Sequence, residues 1–304
     1  MISNFEKELL TIDENLKPLT INDISLVSKF LEKYPDENCD FNISVLFSWG
    51  MYYNLEYAIH NERLIFFNPK YHFLLFPIGE KLTALELYHL NNCCKKIHKN
   101  TEILVVPEDY VNNTPNLLEY FKVYNDVDWN DYIYLAENLV SLPGKKLAKK
   151  KNLIAQFKSL YPGYSLKDIE ASDYNEIIDF AYFWKTTHDY KDTHLEAEFE
   201  AMKYIMNYWN ILPCKGLKLY VDNKLCAFSV FSPQSKNMAT VHFEKYDLKI
   251  KGSGQMINYA TAKKIQPNFK YINREQDMGH EGIRQAKRSY QPIRLVASYR
   301  LKSK

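Results

Sequence analysis

The chain has 304 residues, of which 46% are hydrophobic and 25% charged, and its formal net charge is +2. That balance excludes a disordered polyelectrolyte and suits either two modest globular domains or one large one. No apolar run approaches the roughly 20 residues of a membrane-spanning helix, and the mixed, acidic opening MISNFEKELLTIDEN is no signal peptide, so a cytoplasmic protein is expected.

In chain order, the first half opens on a helix around Ser25 to Lys33. Strand-like runs follow at Tyr52 to Ile59, Arg63 to Phe67 and Tyr71 to Pro77, the first two joined by a turn at His60-Asn61-Glu62. Leu85, Leu87, Leu90 and Ile97 recur at helical spacing over Thr83 to His98, and Ile103 to Val106 reads as a short buried strand ending at Pro107. Strands, then helix, then strand are compatible with a compact α/β domain. Residues 1–137 hold 11 Lys/Arg against 21 Asp/Glu, whereas residues 138–304 hold 28 against 16. An acidic half followed by a basic half directs an anionic partner to the second half, and also lets the halves attract each other.

A second unit begins near Leu142-Pro143-Gly144. Lys145 to Leu160 reads as a helix with Leu147, Leu153, Ile154, Phe157 and Leu160 on one face. Lys145, Lys146, Lys149, Lys150 and Lys151 crowd its start, with no acid between Asn138 and Lys167. Such a stripe suits a phosphate backbone, tRNA included; its plainer use is a solvated face. Ser172 caps a helix running through Phe180, Ala181 and Trp184, and Thr193-His194-Leu195-Glu196 opens another, to about Trp209, with a capping-box pattern. Between them HDYKDTH, residues 188–194, has metal-capable residue types, but its spacing matches no common zinc pattern, and no metal is expected. Cysteines 39, 93, 94, 214 and 226 form no CxxC pair and suit a reducing compartment.

Strand content then rises. Leu217 to Val221 and Leu225 to Ser232 are joined at Asp222-Asn223-Lys224, and Ala239 to Tyr246 is a third strand. Alternation puts His242 and Glu244 on one face of that strand and Phe243 and Lys245 on the other. Glu244 facing a cleft beside His242 suits proton abstraction from an amine or hydroxyl; an ion pair with, for example, Arg274 is the alternative. Lys249, Gly252, Ser253, Gly254 and Gln255 then form a basic glycine loop leading into a helix, Met256 to Ile265, and a strand at Tyr271 to Asn273. Strand, glycine loop, helix and strand is the core order of a GNAT acyltransferase domain, whose loop amides bind an anionic donor.

The last segment carries the densest pattern. In NREQDMGHEGIRQAKRSYQP, residues 273–292, Asn273, Arg274, Glu275 and Asp277 end a strand, and Lys287 and Tyr290 lie on a short helix from Ile283 to Tyr290. This closely resembles the signature N-R-E-x-D-x-G-x-x-G-L-R-x-A-K-x-S-Y-x-P of a bacterial family of soluble proteins. That family is related to the C-terminal catalytic domain of phosphatidylglycerol lysyltransferases and to Fem-type aminoacyltransferases. LPGKKLAKKKN, residues 142–152, and VHFEK, residues 241–245, fit the same family, while His280 stands where it more often has an apolar residue. The resemblance implies an α+β protein of two GNAT-like domains in tandem, residues 1–140 and 141–304, with the site in the second. It implies transfer of an aminoacyl group from aminoacyl-tRNA to an amine or hydroxyl, on a lipid head group or a small molecule, with no certain cofactor. Glu244 or Glu275 serves as base in that reading and Lys287 or Arg274 as electrostatic stabiliser. His242, Lys245, Asn273, Arg274, Asp277 and Tyr290 bind substrate, and Lys249 with Gly252 to Gln255 holds the donor. An acyl-CoA donor, or a non-catalytic binding module, is the alternative.

Overall fold

The computed structural model describes residues 15–97, 101–187 and 193–304. Its longer helices are α1 (Ile24–Lys33), α2 (Ala84–Ile97), α3 (Gly144–Leu160), α4 (Tyr174–Thr187), α5 (Thr193–Asn207), α6 (Ser253–Ile265) and α7 (Glu281–Arg288). Six strands of the first half are β1 (Lys17–Pro18), β2 (Glu56–His60), β3 (Arg63–Asn68), β4 (Phe73–Leu75), β5 (Glu102–Pro107) and β6 (Phe121–Asn125). Then come β7 (Asp131–Leu135), β8 (Ser165–Asp168), β9 (Lys215–Val221), β10 (Lys224–Ser235), β11 (Met238–Tyr246), β12 (Tyr271–Asn273), β13 (Arg294–Val296) and β14 (Ser298–Ser303).

These strands make two seven-stranded sheets, ordered β1-β2-β3-β4-β5-β14-β6 and β13-β7-β12-β11-β10-β9-β8. Both are antiparallel meanders with one parallel pair, β4 with β5 and β11 with β12, each formed across a helical crossover. The parallel pairs are short. β12 matches β11 only over Met238 to Thr240, so His242 and Glu244 lie beyond the point where the strands part. That divergence gives side chains from β11 and from the end of β12 room to meet.

The expected division at residues 140 and 141 runs across both sheets. β7, before that point, sits between β12 and β13 of the second sheet, and β14, at the end of the chain, sits between β5 and β6 of the first. Neither strand stood out in the sequence. SYRLKS mixes charged and apolar residues because β14 is only partly covered, and DYIYL is buried over four of its five positions instead of alternating. Tyr52 also differs from expectation: Trp49–Tyr52 is a helical turn, closed by Asn54 at φ 53°, and the strand starts at Glu56.

Each face of the second sheet is covered. One core joins Tyr134, Leu147, Phe157, Val241 and Ile257 beneath α3 and α6. The other face, through Phe228, Val230 and Phe243, packs on α4 and α5 and continues into the core of the first half, so the two halves share one apolar body. Leu301, fully buried in β14, belongs to that body. Leu301→Ala should therefore cost about 2–5 kcal/mol although only three residues follow it in the sequence. A urea-denaturation midpoint unchanged by this substitution would show that the terminal strand is dispensable.

Candidate active site

A cavity of about 790 Å³ opens where the halves meet. Trp49, Tyr52, Tyr53 and Tyr71 wall it from the first half, with Leu75, Leu104 and Val105 from the diverging ends of β4 and β5. His242, Glu275 and Gln276 enter from the second half, Glu196 and Glu198 from α5, and Asp40 and Cys39 from a loop of the first half.

His242 reaches this chamber because β11 does not alternate regularly. Val230 pairs with Phe243 and Phe231 with Val241, so His242 occupies a bulge. Val241 faces the α3–α6 core and Phe243 the shared core, which shows the switch of face. His242 Nδ1 lies 2.8 Å from Glu275 Oε1, and Nε2 lies 2.8 Å from Ser232 Oγ. Ser232 in turn donates to Asn42 Oδ1 of the first half at 3.0 Å. Both imidazole nitrogens are thus committed, and Glu275 stands on the chamber wall beside the imidazole.

Glu275 itself has a left-handed backbone, φ 56°, an unfavourable state for a side chain with a Cβ. Two partners hold it there. Its amide donates to Asn273 Oδ1 at 2.7 Å, and Lys287 Nζ donates to the carbonyls of Arg274 (2.6 Å), Glu275 (3.0 Å) and Gln276. Burial pushes the Lys287 amine down to about 8, while three carbonyl acceptors favour its charged form, so it stays an ammonium at neutral pH. Lys287 positions the turn; its donors are spent on the backbone, which corrects the expectation that it stabilises a transition state directly.

Other expected site residues have structural partners. Asn273 donates to Asp131 Oδ2 at 2.7 Å and to the carbonyl of Glu37 at 2.9 Å, and is wholly buried. Asp277 accepts from Arg284, Tyr132 (2.6 Å) and the Gly279 amide (2.9 Å), and these contacts hold its carboxyl below the usual range despite burial. It staples the loop and does not face the chamber. Lys245 points to the opposite side of β11 from Glu244, bonds Glu198 at 2.7 and 2.8 Å and lies over the Trp184 ring at 3.8 Å. Glu244 is also separated from His242. One of its oxygens meets Arg274 Nη2 at 3.0 Å and the other Asn258 Nδ2 at 3.1 Å, away from the chamber, so the ion-pair alternative is the observed one. Tyr290 lies with Arg274 on that same side.

The glycine loop is also put to packing use. A Cβ on Gly252 would stand 2.7 Å from the Leu153 carbonyl of α3, and one on Gly254 2.8 Å from the Tyr246 ring. Ser253 is buried, its hydroxyl bonded to the Asp247 carbonyl, whereas Lys249 is exposed and Gln255 half-buried. The small residues let α3 and Tyr246 close over the start of α6. An open anion-binding loop, the expected use of these residues, is not what the packing provides. On α3 itself, Lys145, Lys146, Lys149 and Lys151 are exposed and Lys150 is half-buried. The expected metal-capable run, residues 188–194, lies outside the residues whose side chains are described.

Sequence reasoning missed the acids of the first half. Asp40 and Asp131 crowd Glu275, and the Lys287 ammonium near them is turned to the backbone. Burial, then the neighbouring carboxylates, pushes the Asp40 carboxyl up to about 8. Burial likewise lifts Asp131 to about 7, against hydrogen bonds from Asn273 and Cys39. Asp40 is enclosed by the chamber wall even though its side chain is partly open to the cavity space. The other acids on the wall have cations behind them: Asp126 has Arg300, Glu196 has Lys185 and Glu198 has Lys245. Asp40 followed Cys39 in a segment with no motif, so no local signal marked it.

The family model described as "Phosphatidylglycerol lysyltransferase, C-terminal" matches residues 31–302. The chain is similar to a conserved protein of unknown function from Bacteroides thetaiotaomicron. That crystal structure has 31% identity and a TM-score of 0.88, and the match covers 95% of this chain and 99% of the other. It shares its fold with the C-terminal domain of a putative lysylphosphatidylglycerol synthetase from Agrobacterium fabrum, at 10% identity, TM-score 0.65 and 92% and 91% coverage. A tandem GNAT protein from the clavulanic acid biosynthesis pathway aligns over 95% and 98% of the two chains, at 9% identity and TM-score 0.50. Two GNAT-like halves in tandem are therefore the architecture.

The raised carboxyls have a consequence for stability. The folded state keeps protons on Asp40 and Asp131 that the unfolded chain releases near pH 4, so unfolding becomes easier as pH rises from about 4 to about 8. Asp40→Asn should flatten that slope and gain roughly 1 kcal/mol or more at pH 8. Chemical denaturation at a series of pH values reads this directly; parallel profiles for the two proteins would contradict it.

Proposed function

This chain belongs to the phosphatidylglycerol lysyltransferase C-terminal family, and from that premise we propose that it transfers an acyl group within the chamber between its halves. The donor in this reading is aminoacyl-tRNA, and the acceptor an amine or hydroxyl on a small molecule or lipid head group. One observation carries the reading: the chamber holds Asp40 beside Glu275, and among the described residues no lysine or arginine is ion-paired to either carboxylate, the Lys70 on its wall lying over the Tyr71 ring. An ammonium group entering there would supply the missing charge, and an aminoacyl group brings one. The proton retained by Asp40 would then be released, because an adjacent positive charge favours the carboxylate.

Transfer from an ester donor needs a nucleophile in line, somewhere to put its proton, and support for the oxyanion. Glu275 lies on the chamber wall with His242 directly behind it, so a proton taken by Glu275 can be shared with the imidazole. The nucleophile's lone pair forms the new bond to the acyl carbon, the ester C–O bond breaks, and the leaving 3′-oxygen recovers a proton. Ser232 and Asn42 fix the imidazole plane, and Asn42 ties that orientation to the first half. The exposed lysines of α3 suit the phosphate backbone of the donor. An acyl-CoA donor is less well served, because the loop that would take its pyrophosphate is closed by α3 and Tyr246.

Incubation with pools of charged tRNA tests the reading. Deacylation or transfer is expected with at least one pool, falling about 10²- to 10⁴-fold in Glu275→Gln while tRNA affinity at low salt is kept. Coenzyme A should give no heat in calorimetry. Absence of both turnover and tRNA binding with every pool, or full activity in Glu275→Gln, would sink the assignment.

A further inference from the structure

One residue before Glu275, and on the other face of the second sheet, the Arg274 guanidinium is largely buried. Its Nη2 pairs with Glu244 at 3.0 Å, but Nη1 is buried and has no hydrogen-bond partner. The Tyr290 ring lies 5.1 Å from Arg274 Cζ, and the Tyr134 ring 5.8 Å. A second cation shares Tyr290: Lys150 Nζ, reaching in from α3, is 4.5 Å from the same ring. Two positive groups on one aromatic ring therefore have a single carboxylate between them. Both oxygens of that carboxylate are already engaged, one by Arg274 and one by Asn258. Burial and the repulsion of Arg274 push the Lys150 amine down, as expected for a cation lacking its counter-charge.

We propose that Arg274, Lys150 and Tyr290 form a binding site for an oxyanion, a phosphate or carboxylate group, entered beneath α3 and separate from the chamber. An oxyanion there accepts from Arg274 Nη1 and from the Lys150 ammonium, the two donors left over, and restores charge balance around Glu244. Phosphate is the chemistry that the surroundings favour, since Lys146, Lys149 and Lys151 lie exposed on the helix that carries Lys150. The inference deepens the transferase reading by giving the phosphate-bearing donor a fixed anchor. Arg274 and Glu275 are consecutive, and Lys287 holds both their carbonyls, so an anion on one face would be registered against the proton acceptor on the other.

Inorganic phosphate, acetate and a short single-stranded RNA ending in CCA are the probes, with affinity measured for wild type, Lys150→Met and Arg274→Lys. Lys150→Met lies on a mostly exposed helix and should fold; circular dichroism checks both variants. Phosphate should bind wild type and weaken about tenfold in each variant. Competition by the RNA identifies a nucleic-acid source, whereas phosphate or acetate binding without RNA competition identifies a free small anion; both support the site. No phosphate binding to wild type, or equal binding in both folded variants, overturns it. Glu275→Gln should leave phosphate affinity unchanged, so loss of transfer and loss of the anion site are told apart.

Discussion

The ammonium of Lys287 gathers three successive carbonyls, those of Arg274, Glu275 and Gln276, beneath a single charge. Without such a centre, carbonyl dipoles pointing the same way repel one another, and a glutamate has no reason to accept φ 56°. With it, the chain turns sharply at the end of β12 and sends consecutive side chains to opposite faces of the sheet. Arg274 goes to the aromatic side under α3, and Glu275 to the chamber. Every feature of the two sites follows from that division. The signature run around residue 280 is thus mostly scaffold: Asn273, Asp277, Arg284 and Lys287 hold the turn, and Glu275 is the group it displays.

The chamber belongs to neither half alone. Asn42 and Asp40 come from the first, His242 and Glu275 from the second, and the strands β7 and β14 are traded between the sheets. Trading strands fixes the two halves at a constant separation, because sliding either would break a central ladder, not a surface contact. A rigid gap of this kind is what a site with donors on both walls needs. It also explains how buried acids are tolerated there. The shared apolar body behind the chamber meets the cost of keeping Asp40 and Asp131 out of water, and an arriving cation would relieve it.

The elements with strong periodicity were legible from the chain itself. Leu147, Ile154 and Phe157 mark α3 and are its buried face, and the turn at Asp222-Asn223-Lys224 joins β9 to β10 as its residues suggest. The terminal signature was enough to place the protein in its family. What failed was strict alternation along β11, since a bulge at His242 moves one side chain across the sheet with no change of composition. The two glycines of the 249–255 loop suggest freedom to approach a ligand, and the fold brings Leu153 and Tyr246 against them. Local order therefore determined the elements, the acidic and basic halves, and the family. Only the tertiary structure decided which acids stand together, because Asp40, Asp131 and Glu275 are far apart in the chain and are brought together by strand exchange, a long-range pairing that no short window of residues encodes.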